Sequence, residues 1–191
     1  MKKLRQSISL LLIIAFFAGA SIAQSFDGYA LYNLQTSNTA YLIDENGDIA
    51  HSWSCNASCN YSVLLKENGN IVRGGLYSSN QLQGAAVGGI LQEIAPDGSV
   101  VWEYIHSTAN YVSHHDISLM DNGNVLMIAW NVKSVAECTQ AGVDGATIEQ
   151  WPTSIIEVQQ NGTGGQIVWE WHIWDHFIQD FDASKDNYGV V

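Results

Sequence analysis

Tyr41-Leu-Ile-Asp-Glu-Asn-Gly-Asp-Ile-Ala-His-Ser-Trp53 decides how this chain is read, because the phrase comes back. It returns as Leu91-Gln-Glu-Ile-Ala-Pro-Asp-Gly-Ser-Val-Val-Trp-Glu-Tyr104. It returns again as Ile155-Ile-Glu-Val-Gln-Gln-Asn-Gly-Thr-Gly-Gly-Gln-Ile-Val-Trp-Glu-Trp171. Between the copies sits a second phrase, Val63-Leu-Leu-Lys-Glu-Asn-Gly-Asn-Ile-Val-Arg73 and Ile117-Ser-Leu-Met-Asp-Asn-Gly-Asn-Val-Leu-Met-Ile128. Each phrase is a pair of apolar, β-branched runs around Asn-Gly or Asp-Gly. Those dipeptides favour the left-handed backbone of a tight hairpin turn. Helical periodicity is nearly absent, apart from a short helix expected within Val132 to Ala141.

The chain therefore reads as all-β and antiparallel. Taken in order, the hairpins group into four-stranded units at about 40–76, 90–130 and 154–191, with an insertion at 131–153. Four-stranded sheets at a repeat of about 40–50 residues mark β-propeller blades. Trp53, Trp102 and Trp169 are then packing residues between blades. The expectation is a partial propeller of about two and a half blades, a fragment of a fuller ring, since propellers typically have 4 to 8. A protomer that completes its ring by self-association is the alternative.

Residues 1–23 read as an export signal. Lys2, Lys3 and Arg5 precede the apolar run Ile8 to Ala18, and Ser21-Ile22-Ala23 is a cleavage site. The domain then spans 24–191 and is periplasmic or extracellular, with no membrane association after cleavage. Acidic residues outnumber basic ones 19 to 7, for a net charge of −12. That excludes a nucleic-acid partner or an anionic membrane surface, both of which need basic patches. Export permits disulfides. The spacing of Cys55 and Cys59 allows a bridge across a tight loop, leaving Cys138 unpaired; the alternative is three buried thiols.

Two clusters can carry chemistry. Ser113-His114-His115-Asp116 opens the fourth hairpin. Strand alternation puts His114 and Asp116 on one face, with His115 on the other. An imidazole beside a carboxylate can act as acid, base or nucleophile, or simply hydrogen-bond a neighbouring loop. The second cluster is Trp169-Glu-Trp-His-Ile-Trp-Asp-His176. Its tryptophans can line a site for a flat aromatic ligand, or only fill space between blades. No metal site is expected: Asp44 to Asp48 lacks the glycine position and distal glutamate of a calcium loop.

Taken together, these residues resemble the arylsulfate sulfotransferase family, exported β-propellers that move sulfate between phenols. The resemblance rests on Ile43-Asp44 with Asn46-Gly47 and Trp53. It rests more specifically on His114-His115-Asp116-Ile117 before Asn122-Gly123-Asn124, and on Ile167-Val168-Trp169-Glu170-Trp171 before Trp174-Asp175-His176. It implies sulfuryl transfer from an aryl sulfate to a phenol through a sulfohistidine, with no cofactor. It implies a six-bladed ring and places the nucleophilic histidine downstream of these blocks, outside this sequence, so that activity is expected only in the full-length form. His114, His115 and His176 would contact the sulfuryl group, and Asp116, Trp130, Trp174 and Asp175 the substrate. Arg73 lies outside the matching block. A binding or scaffold propeller without catalysis is the second expectation.

Overall fold

The computed structural model describes residues 27–189. The expected signal, residues 1–23, lies outside them. Among the described residues, eleven strands form three antiparallel sheets. Sheet one holds β1 (Ala30–Asn33), β2 (Thr39–Ile43) and β3 (Ile49–Ser54). Sheet two holds β4 (Ser58–Leu65), β5 (Ile71–Leu76), β6 (Gly89–Ile94) and β7 (Val100–Ile105). Sheet three holds β8 (Tyr111–Leu119), β9 (Val125–Asn131), β10 (Thr153–Asn161) and β11 (Gly164–His172). Within each sheet the strands neighbour one another in chain order.

The hairpins form where the turns predict them, but they group differently. Units at 40–76 and 90–130 do not exist. β3 and β4 do not pair, although only Cys55 to Ala57 separate them. β5 and β6 do pair, from Ile71↔Ile94 to Leu76↔Gly89, across a twelve-residue loop at 77–88. The expected insertion at 131–153 likewise connects two strands of one sheet, β9 and β10. It carries the expected helix, α1 (Val135–Ala141), with Ser134 and Glu137 forming a capping box. Among the described residues the incomplete unit is the first, with three strands, and sheet three has its full four. A short link can pass from one sheet to the next, whereas a strand buried along its length must have neighbours on both edges. β6 is buried at every position, so it draws β5 and β7 to it.

The core lies between the sheets. Trp53 and Ala40 of sheet one pack on Ile71 and Ile94 of sheet two. Trp102, Val72 and Leu91 of sheet two pack on Val125, Met127, Ile156 and Val158 of sheet three. One turn also fits this packing. Gly98 holds φ +86°, and a β-carbon there would come within 3.0 Å of the Ser54 carbonyl oxygen in sheet one.

Cys55, Cys59 and Cys138 are all free and buried, so the expected Cys55–Cys59 bridge is not formed. The two thiols have different surroundings. Cys55 packs in the Trp53 cluster, with its thiol directed to the Trp53 carbonyl. Burial pushes the Cys59 thiol pKa up, and the Arg73 guanidinium beside it opposes that shift.

Candidate functional site

A bulge at the start of sheet three builds the histidine cluster. Ser113 pairs with Ala129 and Ile117 with Met127, so residues 114–116 lie opposite the single residue Ile128. β4 has the same irregularity. Cys59 pairs with Gly75 and Val63 with Arg73, leaving residues 60–62 opposite Gly74. Bulges re-aim side chains at the cost of ladder pairing. Here the equivalent residues of the two bulges meet. The Ser62 hydroxyl lies 2.7 Å from the His115 carbonyl oxygen and 2.9 Å from Asp116 Oδ1, each an acceptor for its proton. The Tyr61 ring meets the His115 ring edge-on at 6.2 Å.

The bulge overturns the expected alternation. His114 does not share a face with Asp116: Val112, Ser113 and His114 are buried in succession, while His115 and Asp116 are exposed. His114 stacks on Trp130, centroids 4.3 Å apart and planes within 13°. Its edge meets the His115 ring at 5.0 Å. Neither of its ring nitrogens has a partner among the described residues. Burial pushes its pKa down to about 4; His115 adds to the shift and Asp116 opposes it. The ring is therefore neutral at pH 7, with at least one lone pair available.

Trp130 continues an aromatic ladder. Trp151 stands 5.7 Å from it and lines a groove of ≈ 640 Å³ together with Pro152, Thr153, Trp174, His176 and Phe177. His176 closes a 3-10 turn, Ile173–His176, and stacks on Trp171 at 4.9 Å. The Lys133 ammonium sits 5.2 Å over the Trp174 ring, within cation–π range. Asp175 is exposed on the same turn. The expected residues thus fall into two groups. His114, His115, Asp116 and Trp130 meet at the bulge, and Trp174 and His176 meet at the groove. Trp151 lies between the groups.

Trp151, Lys133 and Ser62 escape a reading of the sequence. An aromatic before Pro152 was the available signal for Trp151, but it lies in a segment that reads as insertion. His106 was also missed. It is buried against Tyr111, ring centroids 4.3 Å apart, and burial pushes its pKa down to about 4. Arg73 is fully buried on β5, where Nη1 donates at 3.0 Å to the carbonyl of Ala57, in the link between β3 and β4. It is not part of either group.

No individually curated protein matches the chain. A sequence profile of the arylsulfotransferase (ASST) family matches residues 19–189. The histidine bulge, the tryptophan-bearing hairpins and the groove all fall inside that match, and the protein belongs to the arylsulfotransferase family.

Proposed function

We propose that the three sheets are consecutive blades of an exported β-propeller that transfers a sulfuryl group from an aryl sulfate to a phenol. In this reading a histidine nitrogen attacks sulfur and the bond from sulfur to the aryl oxygen breaks. The electron pair leaves on the phenolate, and the acceptor phenol then reverses the sequence. The family resemblance puts that nucleophile downstream of the blocks seen here. This chain's residues bind and orient. The Trp151–Trp174 groove takes an aromatic ring, His115 and His176 donate to sulfuryl oxygens, and His114 backs His115 as a neutral base. Charge developing on those oxygens is stabilised by such fixed donors.

The observation that carries this reading is the unpartnered, neutral His114 stacked at the head of the aromatic ladder. Removing a positioned acid–base group typically costs about 100-fold or more. In protein that carries that downstream nucleophile, His114→Asn and His115→Ala are therefore each expected to lower kcat/KM for transfer from a nitrophenyl sulfate to phenol by at least about 100-fold. Variants indistinguishable from the parent would end the catalytic reading for these residues.

The burial of Arg73 and the net charge of −12 favour a second reading, a binding propeller without chemistry. Parent protein that binds an aryl sulfate and transfers nothing would support it. Export predicts a mature N-terminus at Gln24, which intact-mass measurement of the secreted protein checks.

A further inference from the structure

The loop at 77–88 joins two strands of sheet two, yet it reaches across to the histidine bulge of sheet three. Its ends are fixed. Tyr77 N donates to the Gly88 carbonyl at 2.7 Å, and Asn80 Nδ2 donates to the same oxygen at 3.0 Å. Gly88 N donates to the Ser113 carbonyl and Gly89 N to the Ser113 hydroxyl, each at 2.8 Å. Val87 pairs with His114 as an isolated antiparallel bridge. Between the ends, Leu82 and Val87 pack on Val112 beside Trp130 and Trp151. A β-carbon at Gly84 would lie 3.4 Å from the Trp151 ring and 3.5 Å from the Trp130 ring. The loop therefore runs along the Trp130–Trp151 part of the aromatic ladder, where His114 stacks on Trp130 and is 7% exposed.

The middle of the loop is held lightly. Gln81, Gln83, Gly84 and Ala85 are exposed. Ala86 holds φ +68°, a left-handed backbone that a residue with a β-carbon adopts only at a cost. Among the described residues, one sheet side chain hydrogen-bonds this stretch: Asn60 Nδ2 donates to the Ala86 carbonyl at 3.1 Å. Asn60 is itself buried. It occupies in the β4 bulge the place that His114 occupies in the β8 bulge. One bulge position thus ties the loop down, and the equivalent position pairs with its far end. Segments with few bonds to the body of a protein open locally at much less free energy than global unfolding.

We propose that residues 81–87 form a flap that closes over the His114–Trp130 pair, and that Asn60 is its latch, a positioning residue. Closed, the flap shuts the His114 ring from solvent. Open, it exposes His114 and Trp130 to a ligand whose ring lies against Trp151. What the flap admits rests on the reading of His114 as part of a sulfuryl-transfer site; the opening itself does not.

Diethyl pyrocarbonate, which acylates unprotonated imidazole, reads the opening directly, with rates at each histidine resolved by fragment-ion mass mapping. In the purified chain the exposed His115 should react quickly and the buried His114 slowly. Asn60→Ala should raise the His114 rate by about 5- to 10-fold, the factor carried by one net hydrogen bond. Leu82→Ala, which removes an apolar contact of the flap and leaves both bulges intact, should raise it as well. His106 is equally buried, but against Tyr111, and should keep its rate. Modification needs no turnover, so a working flap on a protein that transfers no sulfuryl group is told apart from an active protein without a flap. A His114 that reacts as fast as His115 in the parent overturns the proposal, as does a His114 rate that Asn60→Ala leaves unchanged. A parallel rise at His106 in both variants overturns it too, because the substitutions would then be loosening the whole sheet junction.

Discussion

Trp102→Ala should lower the stability of the protein by about 3–5 kcal/mol, the range for truncating a buried aromatic. Trp102 joins sheets two and three and is 2% exposed. Its removal loses the transfer free energy of the ring and leaves a cavity walled by two sheets that cannot collapse freely. Its indole N–H also donates to Glu93 Oε2 at 2.8 Å. Glu93 is itself buried and takes two further donors, Lys66 at 2.8 Å and Asn70 at 2.6 Å. Burial pushes the Glu93 pKa up, and the hydrogen bonds from Asn70, Lys66 and Trp102 outweigh that and hold it below the usual value. Truncation takes one of those donors away. Trp102→Phe keeps most of the ring and loses the bond, so it should cost less, on the order of 1–3 kcal/mol. Trp169→Ala supplies the internal comparison. It has the same residue type and register, but its ring is 48% exposed, so the loss should stay within about 1 kcal/mol. Urea unfolding of the three variants measures all of this. Equal losses at 102 and 169 would show that the sheet two–sheet three junction is not where the stability lies.

Acid should destabilise the protein from about pH 6.5 downward. His106 and His114 both have folded pKa values near 4, lowered from 6.5 chiefly by burial. The unfolded chain takes up protons on these residues below about pH 6.5, and the folded chain refuses them until about pH 4. Their contribution is therefore complete above pH 6.5, falls as pH drops through the window from 6.5 to 4, and levels off below it. A shift of this size corresponds to about 3 kcal/mol per histidine. The groups facing His114 are His115 and Asp116; Tyr104 and Tyr111 face His106. The double variant His106→Phe/His114→Phe keeps a ring against Tyr111 and Trp130 and removes both protons. Its unfolding free energy should be nearly flat from pH 6.5 to 4, where the parent declines steeply. A parent protein with no decline in that window would contradict the burial of these rings.

The family match follows from the same local phrases that reveal the hairpins. His114-His115-Asp116 and the Trp169 to His176 run are contiguous in sequence, and the structure keeps the members of each close together. What could not be read was how the bulge turns them. Two extra residues opposite Ile128 replace strand alternation with three buried positions in succession, burying His114 and exposing Asp116. That choice belongs to the packing of His114 on Trp130 and of Ser62 against the bulge, contacts across 16 and 54 residues of sequence. Trp151 was hidden for a related reason: nothing local distinguishes a loop tryptophan that packs against Trp130 from one that faces water.

The sequence by itself determined the hairpin strands β2 to β11, their turns and the helix at Val135–Ala141, because an Asn-Gly turn and the alternation around it act over a few residues, whereas β1 carries no such turn signal and was not read. Only the tertiary structure decided which hairpins share a sheet, that the thiols of Cys55 and Cys59 stay apart, and that Trp102 is buried while Trp169 is not. These outcomes depend on which surfaces meet. Two similar local patterns part company when, among the described residues, an apolar sheet covers one and not the other.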